Sequence, residues 1–365
     1  MMYTPQPAAG HATATVKLYS DTLTLPSPAM KRAMFEAELG DEQAGLDPTV
    51  NALCARVAAL LGKPSAMFLP SGTMCNQIAM LVHARPGDAI LAHKDSHIIA
   101  HEAGAAAALG GGLVTGLAGE AGQFGPDDIQ AALRAASRYA PEPRLLVVEQ
   151  TSHLGGGSVW ALDRLHAVAD EAHRHGMAIY MDGARLMNAV VASGVGARDM
   201  AAAVDSVSLC FSKGLGAPFG AVLAGSPDFI DRAWRWKQRL GGAMRQVGMY
   251  AAACLFALDH NVDRLAEDHR HATRLAEGLS SLPGLRITRP QTNIVLFDTL
   301  ATGITSFELR DRLATQDVSI TAMDRYLGRA VTHLHVDTDA IERAIAAFRN
   351  VLAPSRSVPG SARRR

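Results

Sequence analysis

An α/β fold is predicted for this 365-residue sequence: a large unit with a mostly parallel central sheet covered by helices, then a smaller α+β unit. Three observations predict it. Short runs apolar on both faces recur up to about residue 225, as in strands covered on two sides. Patterns of helical period separate them, and strands alternating with helices favour a parallel sheet. Beyond residue 258 the order changes to strand, helix, strand, helix. Apolar residues make up 48% and charged residues 19%, a balance that lets a chain of this length bury a sizeable core.

In chain order, residues 1–16 read as a flexible arm and 17–257 as the large unit. The expected strands of that unit are SAMFLP (65–70), DAILAH (88–93), RLLVVEQ (144–150), MAIYMD (177–182), SVSLCF (206–211) and GAVLAG (220–225). Between them, LDRLHAVADEAHRHG places Leu162, Leu165, Val168, Ala169 and Ala172 on one helix face and stops at Gly176. A long helical pattern from AAACLFALDH to GLSSLPG leads into the small unit, 258–353. There TNIVLFD (292–298) and GRAVTHLHV (328–336) read as strands, SFELRDRLATQD and DAIERAIAAFRNVLA as helices. Residues 354–365 read as a disordered basic tail.

Charge and cysteine content narrow the function. Lysine plus arginine equals aspartate plus glutamate, 35 each, which argues against a nucleic-acid surface. The N-terminus lacks a continuous apolar core, and no uncharged apolar run is long enough to span a bilayer. Four dispersed cysteines without a CxxC pair suit a reducing compartment, so a cytoplasmic protein without membrane contact is expected. No metal site is expected either. His269 and His271, two apart on a helix, do not share a face, and no HExxH occurs.

Chemistry concentrates at strand ends, where open α/β sheets bind ligands. FLPSGTMCNQ runs from a strand through Ser71, Gly72 and Thr73 into a helix, offering free N–H groups and hydroxyls to a phosphate. IYMDGARL ends a strand on Asp182, with Arg185 close behind; the acid either caps a helix or holds a protonated ring nitrogen, and the arginine either pairs with it or grips a carboxylate. His97 lies just past another strand end. Lys213 interrupts SLCFSKGLGAP, a small-residue segment where a lone cation would be costly to bury. A phosphate turn, a strand-end acid and a strand-end lysine are the three fixed points that hold pyridoxal 5'-phosphate.

With these residues in place, the chain resembles the low-specificity L-threonine aldolases, fold-type I pyridoxal-phosphate enzymes of the β-eliminating lyase group. The resemblance runs from YSDTLTLPSPAM (19–30) to GRAVTHLHV and includes GDEQAGLDPTVNAL, DSHIIAHEAG, MDGARLMNAVV and GGAMRQVG. It implies that Lys213, preceded by Ser212, is the Schiff-base lysine, and Asp182 the partner of the pyridine nitrogen. His97 then stacks on the cofactor ring, Ser71, Gly72 and Thr73 hold its phosphate, and Ser20, Arg185 and Arg329 hold the substrate carboxylate. Arg245 would reach a phosphate in a neighbouring subunit of a homo-oligomer, a tetramer built from dimers. The implied reaction is retro-aldol cleavage of a β-hydroxy-α-amino acid to glycine and an aldehyde. β-Elimination, racemisation and transamination are the alternatives the scaffold admits.

Departures from the family cluster at one end of the site. The family's ENTHN becomes EQTSH (149–153), so Ser152 stands where a histidine near the substrate hydroxyl is usual. His153 is one residue along, and in an extended segment it would point the opposite way unless the backbone bulges or loops. Ala44 and Leu46 replace a tyrosine and an acid, and Gln238, next to Lys237, replaces a phosphate-contacting lysine. Ala44, Leu46 and Ser152 are therefore expected to widen the side-chain end of the substrate pocket, favouring phenylserine-like substrates. His97, His153 or a water remains the candidate base.

Overall fold

The structure, a computed structural model, describes residues 14–353 except 134 and 136. Residues 1–13 of the expected arm and all of the expected tail lie outside the described residues.

Seven strands form the central sheet, in the spatial order Ser65–Leu69, Ala221–Gly225, Ser206–Cys210, Ala178–Asp182, Pro143–Glu149, Ala89–His93, Leu113–Leu117. From Ser206–Cys210 to the far edge every pairing is parallel, while Ala221–Gly225 runs antiparallel to both its neighbours. The alternation of strand side chains divides the core into two layers. Leu145 and Val147 pack with the helices Gly72–His83 and Pro227–Arg239, whereas Leu146 and Val148 pack with Pro48–Leu61 and Leu162–Arg174 on the other face. Each fully buried leucine or valine contributes about 1.5–3 kcal/mol, which is why these near-continuous apolar runs are strands rather than loops.

Two elements differ from expectation. Leu113–Leu117 is an edge strand the sequence hides, because LVTGL leaves most of its side chains exposed and carries a glycine. The single long helical pattern is two helices, Gly248–His260 and Leu265–Ser280. Asn261 ends the first, its side chain donating to the carbonyl of Leu215 at 2.7 Å.

A four-stranded antiparallel sheet follows, ordered Thr321–Ala322, Leu327–Val331, Ile294–Asp298, Arg286–Thr288. It packs on Leu265–Ser280 and Thr338–Leu352 through Val295, Phe297, Leu275 and Ile341. Val16 and Leu18 join this same core, and Val16–Lys17 pairs in parallel with Val318–Ser319. The start of the expected large unit thus packs with the C-terminal layer. Among the described residues, no helix is long and apolar enough to cross a membrane, and no three His, Cys, Asp or Glu side chains are grouped to hold a metal.

Candidate active site

The strands ending at His93, Glu149, Asp182 and Cys210 lie side by side, and their carboxyl ends open onto one cavity system. One chamber of about 240 Å³ is bordered by Ser71, Gly72, Thr73, Asn76, Cys210 and Ser212. A second of about 270 Å³ adds Ser20, His101, Glu149, His153, Arg185 and Arg329; the two share Thr22, His97, Asp182, Ala184 and Lys213.

At the first chamber, Ser71 caps the Gly72–His83 helix by accepting from the N–H of Met74, and its carbonyl takes that of Cys75. A helix start leaves four N–H groups without intrahelical partners, so those of Gly72 and Thr73 remain for an anion. Asp182 is buried at its strand end. Its carboxylate accepts from the Asn76 amide at 2.7 Å and from the backbone N–H of Ala184 at 2.9 Å. Asn76 also donates to Glu102 and accepts from the Tyr180 hydroxyl, both at 2.7 Å. Lys213 follows its strand in a tight turn. Its carbonyl is held by Thr24, and its amine lies 3.7 Å from Cys210 Sγ.

Three histidines line the second chamber. His97 bonds Glu102 through Nδ1 at 2.8 Å. Burial opposes a charge on that ring, but Glu102 and Asp182 outweigh it and raise its pKa. His153 has the opposite environment: burial, then the guanidinium groups of Arg185 and Arg329, push its pKa down. Glu149 ties the two together, its carboxylate accepting from the backbone N–H groups of both His97 and His153. Burial and the neighbouring Asp182 raise Glu149 to about 7. Arg185 is gripped by the buried Asp21 through Nε and Nη2, each at 2.7 Å, and Asp21 stays ionised because that pairing overrides burial. Arg329 is also buried, and burial together with Arg185 lowers it to about 10.

The structure thus brings together Ser20, Ser71, Gly72, Thr73, His97, His153, Asp182, Arg185, Ser212, Lys213 and Arg329. Others it does not. Ser152 faces away from the chambers: its backbone bridges to Ser158 and its hydroxyl accepts from the N–H of Gly155. The strand has ended at Glu149, so alternation no longer governs, and the loop turns His153 into the site instead. Ala44 and Leu46 lie on the protein surface in a turn that also carries Asp41, and Arg245 pairs with Asp41 there at 2.8 Å. None of the three borders the chambers of its own chain. Lys237 does not stand in for Gln238. It is fully buried, paired with Glu42 and donating to the carbonyl of Phe68.

Asp21, Asn76, Glu102 and Glu149 escaped the sequence reading. Glu102 in HEAGAAAALG and Asp21 in YSDTL were visible as acids beside small or apolar residues, a pattern that demands a partner once buried.

The donor set fits pyridoxal phosphate. Uncommitted N–H groups, the Ser212 hydroxyl, an amine and a buried, hydrogen-bonded carboxylate border one chamber. Comparison with known proteins points the same way. Residues 17–302 match the β-eliminating lyase family. The chain is 36% identical over 345 residues to low-specificity L-threonine aldolase 1 of Arabidopsis thaliana, covering 93% of this chain and 96% of that one. It is 37% identical over 339 residues to the low specificity L-threonine aldolase of Escherichia coli K12, covering 93% and 99%. The structure of Leishmania major threonine aldolase superposes with a TM-score of 0.79 over 92% of this chain and 99% of that one, at 22% identity, a likeness of fold.

Proposed function

The chain belongs to the β-eliminating lyase family and, within it, to the low-specificity L-threonine aldolases; from that premise we propose that it cleaves L-threonine and related β-hydroxy-α-amino acids to glycine and an aldehyde. The observation that carries this reading is the convergence of Lys213, Asp182 and the Gly72–Thr73 N–H groups on one cavity. Pyridoxal phosphate, when bound, supplies the electron sink for the bond broken at Cα.

The protein's own part is positional and electrostatic. Gly72, Thr73 and Ser212 would take the phosphate, and Lys213 would carry the cofactor. Asp182, fixed by Asn76 and Ala184, would hold a proton on the ring nitrogen. His97, held by Glu102, would pack against the ring. Ser20, Arg329 and the free edge of Arg185 would take the substrate carboxylate and so set which Cα bond is broken. Asp21 occupies the Nε–Nη2 edge of Arg185, which leaves Nη1 facing the site.

Bulky side chains are accepted, and the chain's own cavities supply room for them apart from any contribution of Ala44 and Leu46. A third cavity of about 500 Å³ adjoins the site, shares Tyr19, His101, His153 and Arg329 with it, and adds Leu154, Met323 and Leu327. A homo-oligomer, a tetramer as a pair of dimers, is supported by Arg245 and by the exposed Leu39 and Leu46 flanking its partner Asp41. A cytoplasmic location is supported by four free cysteines.

Incubating the purified protein with L-threonine and with phenylserine tests the reaction. Equimolar glycine and aldehyde are expected, with higher kcat/KM for phenylserine. Formation of 2-oxobutanoate and ammonia from threonine instead would replace the aldolase reading with elimination.

A further inference from the structure

His153 sits between two cations. Arg185 Nη1 lies 3.3 Å from its Nδ1, and Arg329 Nη1 lies 3.0 Å from its Nε2 and 3.5 Å from its Nδ1. Both guanidinium nitrogens are donors only, while a neutral imidazole has one lone pair and one N–H. A ring nitrogen that accepts from either guanidinium has its lone pair engaged, and a protonated ring would face two cations. The surroundings offer little relief. Asp21 is committed to the far edge of Arg185, and Arg329 Nε is buried without a partner. His101 and His97 approach the ring at 5.4 and 6.1 Å between centroids, and Glu149 meets only its backbone N–H. The anions at the edge of the cluster are engaged elsewhere, Asp21 with Arg185 Nε and Nη2 and Glu149 with two backbone N–H groups.

We propose that His153 accepts the proton of the substrate's β-hydroxyl and that the substrate's own carboxylate arms it to do so. The inference rests on the reading that Arg185 and Arg329 receive that carboxylate. A carboxylate between the two guanidinium groups takes over their donors and offsets their charge, freeing an imidazole lone pair. The lone pair then takes the hydroxyl proton. The O–H electron pair becomes the second bond of the aldehyde carbonyl, and the Cα–Cβ pair stays with Cα. Protonation of that carbon completes glycine, and the imidazolium returns its proton to the site or to water. His97 carries the opposite bias: although burial opposes it, Glu102 and Asp182 raise its pKa, so its ring is the more readily protonated of the two and suited to donate. Two like groups whose surroundings push their pKa values apart are how acid and base roles divide.

Arming has a consequence that does not need turnover: a carboxylate ligand binds together with a proton. The probe is 3-hydroxybutyrate, which has the carboxylate and hydroxyl but no amine to react with the holoenzyme. Calorimetry between about pH 5 and 8, the range in which histidine changes charge, is run in buffers of different ionisation enthalpy. Wild type is expected to take up a fraction of a proton per site, and His153→Asn to bind the probe and take up none. His153→Asn should also lower kcat for threonine by about 10²-fold, the scale of general-base catalysis, with KM nearly unchanged. The visible absorbance of the bound cofactor reports that the variant's site is intact, and His153→Gln repeats the test if it is not. Equal uptake in wild type and variant, or binding without uptake, overturns the arming of His153 and leaves the carboxylate reading standing. Failure of the probe to bind wild type overturns the carboxylate reading itself.

Discussion

The two ends of the active site are built on opposite principles. At the cofactor end, Asn76 alone makes three hydrogen bonds, to Asp182, Glu102 and Tyr180, and the helix start at Ser71 is capped from within. At the substrate end, two buried arginines share one histidine, and a guanidinium nitrogen has nothing to donate to. Buried polar groups left unmatched are costly, so the second arrangement is tolerable only if a ligand completes it. The difference lies in what is left open: backbone N–H groups beside a hydrogen-bonded carboxylate at one end, guanidinium donors around an imidazole at the other.

The sharpest way to break this contrast is at its fixed point. Lys213→Ala should abolish turnover and the borohydride-sensitive visible band, with far-ultraviolet circular dichroism unchanged; a surviving band would mean that the cofactor end is wrongly placed. Asp182→Asn should still bind cofactor but cleave about 10²–10³-fold more slowly, the scale of losing one preorganised electrostatic contact; an unimpaired steady-state rate would reduce Asp182 to a helix cap. Ser152→His separates sequence position from geometry. Ser152 is closely packed, with a Cβ placed on Gly122 falling 1.7 Å from its hydroxyl. The histidine should therefore lower stability by roughly 1–3 kcal/mol, as overpacking does, without altering threo against erythro preference. Thermal melts and product ratios read the two effects, and a changed preference would return Ser152 to the substrate pocket. The smallest effect on the single chain belongs to Leu46→Ser, within about 0.5 kcal/mol as at most surface positions. Sedimentation should nonetheless show weaker association, and an unchanged oligomer would remove Leu46 from the interface.

The contrast also explains what was legible in the sequence. The residues of the cofactor end stand at ends of strands or starts of helices, where local backbone geometry decides where a side chain goes. Ser71, Asp182 and Lys213 could be placed from neighbouring residues alone. The substrate end draws on residues 19–22, 101, 153 and 321–329, which only the tertiary fold assembles. Whether Ser152 or His153 faces it depends on where the Pro143–Glu149 strand stops, and one residue there reverses the outcome. Asp21 could not be matched to its partner for the same reason: Arg185 is 164 positions away. Ala44, Leu46 and Arg245 could be matched by motif, but a motif does not say which chain's cavity a surface residue serves.

The pairing of Val16–Lys17 with Val318–Ser319 closes a loop of some three hundred residues, the span being 302 between Thr15 and Asp317. Joining the ends of so long a chain costs about 5 kcal/mol of entropy on a logarithmic length scale, and contacts of such range form late in folding. Asp21 follows that strand by four residues and is what fixes Arg185. The grip proposed for the substrate's carboxylate therefore depends on a closure between the two ends of the chain.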